Sequence, residues 1–338
     1  MRALFAGRWQ RVLAGILLLA LFALPLAACG GRREGSSSTP STQGTQGTAA
    51  SEQKPLVVAT IYPLYDLARQ IGGEYVEVYE LVPPGQVPHG FEPTPKDLQK
   101  VADARLFVYN GAGMEAAWIR RALDNVDPQK TKVVEAAQGI ELIRRATGKQ
   151  EEGSGQAGAQ GQADPHFWTP RNMIEVAKRF TEALAAIDPA HKAEYEKRRD
   201  AYIASLEALD RDFRNLVNEA KYKEFYVSRP PFSYLAKEYG LKQISIAGLL
   251  GTEGAPTAQQ IQKVVEQIKA SGVPAIGSIY GTKDDVAETV AREAGVEVVP
   301  LYALGTVTKE QFDKGVTYQD LFRQNMEGFA KLLGAKTK

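Results

Sequence analysis

The sequence predicts an α/β protein of two similar lobes, each a parallel sheet flanked by helices, bridged by one long helix. Three observations predict it. Short apolar runs alternate with amphipathic stretches, the pattern of parallel strands joined by crossover helices. The alternation occurs twice, with matching details. Between the copies, residues 191–220 read as helix without a single Gly or Pro.

In the first copy, Leu56–Ile61 is a continuous apolar run, as a strand covered on both faces would be. A helix over Leu64–Ile71 stops at Gly72-Gly73, and Val76–Val82 is a second strand. Pro95–Ala104 is helical, Leu106–Tyr109 is a third strand, and Asn110-Gly111-Ala112-Gly113 is a turn. A helix over Glu115–Leu123 and a strand near Val133-Val134 complete the half. The second copy has strands at Phe225–Ser228, Gln243–Ile246, Ala275–Tyr280 and Glu297–Leu301. Pro63–Gly72 overlays Pro231–Gly240, and Pro93-Thr94 with Leu98–Val101 overlays Pro256-Thr257 with Ile261–Val264. In between, Asn172–Ala186 is an amphipathic helix. The long helix carries apolar residues at Tyr195, Tyr202, Leu206, Leu209, Phe213 and Leu216 and would span ~45 Å, long enough to brace both lobes.

The N-terminus reads as an address. Arg2, Arg8 and Arg11 precede an apolar run from Val12 to Ala28, too short and wrongly flanked for a spanning helix. The run ends Leu26-Ala27-Ala28-Cys29-Gly30, which resembles a bacterial lipobox; Cys29 is the only cysteine. That resemblance implies cleavage before Cys29, lipidation there, and attachment to the extracytoplasmic face of a bacterial membrane. The expected division is 1–28 signal peptide, 29–53 disordered tether, 54–190 N-terminal lobe with a mobile 147–163 loop, 191–220 linking helix and 221–338 C-terminal lobe. Both 30–53 and 147–163 lack the large apolar side chains that folding needs. Formal net charge is +1, and no basic patch is interleaved with aromatics, which argues against nucleic acid. No nucleophile elbow, phosphate loop or HExxH motif points to an enzyme.

The chemistry concentrates in two islands, Val87-Pro88-His89-Gly90-Phe91-Glu92-Pro93-Thr94-Pro95 and Asp164-Pro165-His166-Phe167-Trp168-Thr169-Pro170. Each frames one of only three histidines with prolines, which stiffen the loop that presents the imidazole. The third, His191, reads as an exposed helix-end residue. Ligands of open parallel sheets bind beyond the carboxyl ends of the strands. His89, Arg229 and Tyr302 each follow a strand, and His166 lies in the first-half loop region, so all four are expected to line one cleft. Two neutral imidazoles suit zinc or another first-row divalent ion. Glu92, Asp164 and Glu115 are candidates to hold an imidazole's second N–H; Asp164 can equally cap the Pro165 turn.

These residues resemble the metal-binding solute-binding lipoproteins of zinc and manganese ABC importers. The likeness covers nearly all of the body and rests on the two islands, on Asn110-Gly111-Ala112-Gly113-Met114-Glu115, and on Phe232–Leu241. It implies Zn²⁺ or Mn²⁺ held between the lobes by a monomer and delivered to a membrane permease driven by a separate ATPase. It also implies four protein ligands, three histidines and a carboxylate. His89 and His166 match two of them. Arg229 stands at the third histidine position and Tyr302 at the carboxylate position, and arginine cannot ligate. The expectation is a metal binder using His89 and His166 with waters or other carboxylates such as Glu253. Two alternatives stand beside it: a binder of a metal chelate or anionic solute gripped by Arg229, and an adhesive or scaffolding protein with a degenerate site.

Overall fold

A computed structural model describes residues 54–144, 162–250, 256–281 and 284–336. The expected leader and tether, Cys29, most of the 147–163 loop and Glu253 lie outside the described residues.

The first half contains β1 (Leu56–Ala59), α1 (Tyr62–Gly72), β2 (Glu77–Glu80), α2 (Pro95–Asp103), β3 (Leu106–Tyr109), α3 (Ile119–Leu123) and β4 (Lys132–Glu135). Helices α4 (Pro170–Ile187) and α5 (Lys192–Glu219) follow. The second half contains β5 (Glu224–Val227), α6 (Ser233–Tyr239), β6 (Lys242–Ser245), α7 (Ile246–Leu250), α8 (Ala258–Ser271), β7 (Ala275–Ile279), α9 (Asp285–Ala294) and β8 (Glu297–Leu301). Helices α10 (Lys309–Asp313) and α11 (Tyr318–Leu332) close the chain. Both sheets are wholly parallel and share one topology, β2-β1-β3-β4 and β6-β5-β7-β8. The internal likeness extends to the caps. Thr94 with Asp97 starts α2, and Thr257 with Gln260 starts α8, each as a reciprocal capping box.

The central strands explain why the chain reads as apolar runs. Val57 and Ala59 of β1 face one core, while Val58 faces another with Phe107 and Trp118. In β5, Phe225 and Val227 face inward and Tyr226 faces outward with Ile276. The inner faces of both sheets belong to one continuous apolar cluster, filled by α1, α4, α5 and α11. Outer cores are local to each lobe. The long helix therefore runs through shared packing. Its 28 residues span about 42 Å and bury Tyr195, Tyr202, Leu206, Leu209, Phe213 and Val217; Leu216, expected inside, is only half-buried.

One expectation changes. The helix expected over Glu115–Leu123 begins only at Ile119. Upstream, the amides of Met114, Ala116 and Trp118 donate to carbonyls three residues back, making tight turns. The end of the chain also reaches the first half. The Tyr318 N–H donates to buried Asp66 of α1 at 2.8 Å, and Arg69 and Gln70 complete that carboxylate's shell at 2.7 and 2.6 Å. A buried charge needs such partners, and losing one leaves it uncompensated.

Beside Asp66, the Glu80 carboxyl has a buried oxygen, Oε2, with no hydrogen-bond partner among the described residues. Burial, and then the nearby Asp66, push this carboxyl up to about 8. A raised folded-state pKa means the folded protein holds the proton more tightly than the unfolded chain. That stabilisation is fully present below the ordinary glutamate range and is lost as pH rises through about 8. Thermal unfolding followed by circular dichroism should show stability falling by about 1–2 kcal/mol from pH 6.5 to 8 through this group. Glu80→Gln, fixed in the neutral form, should flatten the fall; an unchanged slope would refute the assignment.

Candidate metal site in the cleft between the sheets

His89 is presented by the loop after β2. The Phe91 N–H donates to the Pro88 carbonyl at 3.3 Å, closing a four-residue turn with His89 at its second position. Gly90, third, has φ +82°, which a type II turn requires and which favours glycine. Pro88 and Pro93 are buried on either side, so the ring stands exposed on an anchored base. Phe91 packs edge-on against Trp118 at 5.9 Å, and the Gly85 N–H donates across to the Val307 carbonyl at 2.6 Å.

His166 is built more deeply. Asp164 is fully buried, and its Oδ1 accepts from the His166 amide at 3.1 Å and lies 2.7 Å from His166 Nδ1. The Tyr234 hydroxyl donates to the Asp164 carbonyl at 2.8 Å. Asn110, at the end of β3, donates to the Pro165 carbonyl at 3.1 Å and accepts from the Trp168 indole at 2.7 Å. Glu115 in turn holds Asn110. Its carboxylate accepts from the Asn110 and Gly111 amides at 2.8 and 3.0 Å and from the Thr60 hydroxyl at 2.6 Å. Burial pushes the Glu115 carboxyl up to about 7, against the pull of those donors. Gly305 approaches Trp168 so closely that a Cβ there would lie 2.6 Å from the ring.

The two imidazoles meet, with Nε2 atoms 3.2 Å apart. A carboxylate accepting from Nδ1–H leaves the other ring nitrogen with its lone pair, and here that nitrogen faces His89. A tetrahedral zinc at about 2.0–2.1 Å from each of two nitrogens would set them about 3.3 Å apart. The observed separation needs almost no adjustment.

Both histidines line a cleft of about 520 Å³ at the carboxyl ends of the strands. Arg229 and Tyr302 line it too, so the four residues expected to share a cleft do so. Tyr302 packs against Tyr280 with ring centroids 4.7 Å apart. Its backbone is pinned by Asn325 of α11, which accepts from the Tyr302 N–H at 2.7 Å and donates to its carbonyl at 2.8 Å. The remaining expectations fall elsewhere. Glu115 spends both carboxylate oxygens on the turn after β3, so it supports the site from behind and holds no imidazole. Glu92 is exposed and faces Arg121 at 3.9 Å. His191 stacks on Tyr75 at 4.1 Å and binds Asp188, half-buried and not exposed as expected. Sequence reasoning missed Tyr280, Thr308 and Gln311, which also line the cleft, and Asn110 and Asn325, which brace it. The turn Asn110-Gly111 was a visible signal; the others carry no local signature. Among the described residues, no three His, Cys, Asp or Glu side chains cluster as metal ligands.

Two parallel lobes fused around a long helix, with a cleft at their strand ends, define a two-lobed solute-binding protein. Residues 57–332 match the family described as zinc-uptake complex component A, periplasmic, and the chain belongs to that family. It is 35% identical to the high-affinity zinc uptake system protein ZnuA of Bacillus subtilis, over 96% of this chain and 98% of that protein. It is 31% identical to the zinc-binding lipoprotein AdcA of Streptococcus pneumoniae, over 92% of this chain but only 59% of that longer relative. The Zn(II)-bound ZnuA-like domain of Streptococcus pneumoniae AdcA superposes with a TM-score of 0.71 at 30% identity, covering 83% of this chain and 99% of the domain.

Glu115→Gln tests the brace behind His166. Either amide orientation turns a donor toward a backbone N–H, so that either the Gly111 amide loses its acceptor or the Asn110 amide keeps only the longer 3.3 Å bond to Thr60 Oγ1. Chemical denaturation should show a loss of about 1–3 kcal/mol, and an unchanged midpoint would contradict the bonding described.

Proposed function

We propose that this protein captures a zinc ion between His89 and His166 in the interlobe cleft and delivers it to a membrane permease driven by a separate ATPase. The observation that carries the reading is the 3.2 Å pair of Nε2 atoms, one of them oriented by a buried carboxylate. Imidazole suits zinc, whereas manganese favours carboxylates, and no Asp or Glu is among the described residues lining the cleft. Family membership and the zinc-binding relatives support the same cargo. The chemistry is binding and release, with no turnover. The same reading takes residues 1–28 as a cleaved leader, Cys29 as the lipid attachment point and 29–53 as the tether. The folded body, a monomer of N-terminal lobe, linking helix and C-terminal lobe, then works on the extracytoplasmic face of the membrane.

Each side chain has a separable job. His89 and His166 donate nitrogen lone pairs. Asp164 holds the His166 tautomer and the orientation of its ring, so its effect should be smaller than a ligand's.

Titration of the purified body with Zn²⁺ in a non-coordinating buffer, read by calorimetry, should give one ion per chain. His89→Ala and His166→Ala should each weaken binding by about 100-fold or more, and Asp164→Asn by about 10–100-fold. A double histidine variant that binds zinc as tightly as the parent would end this reading.

A further inference from the structure

The cleft is built for more than an ion. Its volume, about 520 Å³, lies within the roughly 300–1,000 Å³ of sites that hold small organic molecules. An ion completed by two waters needs on the order of 100 Å³, at about 30 Å³ per water. The wall is also asymmetric. The first lobe contributes the two imidazoles, while the second contributes the Arg229 guanidinium and the polar side chains of Tyr280, Tyr302, Thr308 and Gln311, the last two paired in the capping box that starts α10. Arg229 forms no ion pair or hydrogen bond with other described residues.

Charge then decides. The Asp164 carboxylate behind His166 balances Arg229, and no Asp or Glu is among the described residues lining the cleft. A zinc ion held by the histidines alone would bring two positive charges with no counter-charge in that wall, facing a guanidinium that repels it. Two of the four positions of a tetrahedral ion also lack protein donors among the described residues.

We infer that the cargo enters as zinc already held by a small polycarboxylate chelator. The two imidazoles take two coordination positions, the chelator's oxygens take the others, and a free carboxylate of the chelator is gripped by Arg229. The inference rests on the zinc-binding reading above and deepens it by naming the form of the ligand. It also gives the departure from histidine at position 229 a use, because arginine's planar fork suits a carboxylate and no other neutral or basic side chain holds one in two parallel bonds.

Citrate is the probe. Parent protein, Arg229→Met and the His89→Ala/His166→Ala double variant are titrated by calorimetry with Zn²⁺ alone, citrate alone and equimolar zinc–citrate, and bound species are weighed by native mass spectrometry. The parent should take up zinc and citrate together, one of each, at least about tenfold more tightly than zinc alone. Arg229→Met should lose at least about tenfold for the complex and bind zinc alone no more weakly, because a repulsive charge is gone. If citrate strips zinc from parent and Arg229→Met alike, or if Arg229→Met weakens zinc alone, the chelate inference fails and the zinc site stands. If citrate binds the double variant as tightly as the complex binds the parent, the cleft is an anion site and the chelate inference also fails. If the double variant keeps full zinc affinity, the histidine site itself fails and takes the inference with it.

Discussion

One hydrogen bond sets the chemistry of the cleft: the 2.7 Å contact between the buried Asp164 carboxylate and His166 Nδ1. It fixes which nitrogen points outward, and it places a negative charge where solvent does not screen it. Everything around it serves to keep it in place. Tyr234 from the second half holds the Asp164 carbonyl. Asn110 holds the next residue and the indole of Trp168, and Glu115 holds Asn110. His89 sits in a turn stiffened by the proline before it and made possible by the positive-φ glycine after it.

The frame beneath the site is a fusion of two copies of one plan. Two separate lobes would each cover the inner face of their sheet with their own helices. Here a single apolar cluster runs through both, and α5 and α11 belong to neither alone. The Asp66–Tyr318 bond and the Gly85–Val307 bond cross between the halves as well. Such an arrangement resists the wide hinge motion that a thin linker permits. It suits a site whose two nitrogens must stay within a few tenths of an ångström of the spacing one ion demands.

The donor set separates this chain from a plain ion trap. Two imidazoles from one lobe face a guanidinium, hydroxyls and an amide from the other. The proposed chelate uses that difference, with its cation at the imidazoles and its anionic group at Arg229.

Local physics wrote much of this into the sequence. Strands buried on both faces must be continuously apolar, so β3 is legible to the residue; β8, at a sheet edge with Glu297 and Pro300 exposed, is legible from its place in the alternation of strand and helix. Capping boxes and a Gly/Pro-free heptad-like stretch need only near neighbours, so α2, α8 and α5 are legible too. Pro-His-Gly and Asp-Pro-His are short enough to show a stiffened imidazole and its carboxylate. What tertiary structure decided is whatever depends on residues far apart in the chain. Glu115 looked like a partner for an imidazole, yet the return of the chain after β3 aims it at two backbone amides. Asn325 is an ordinary polar residue of an amphipathic helix until α11 lands beside the end of β8. The 3.2 Å approach of two nitrogens 77 residues apart arises only when two loops, each rigid by its own sequence, are brought to one edge by the packing of the sheet between them.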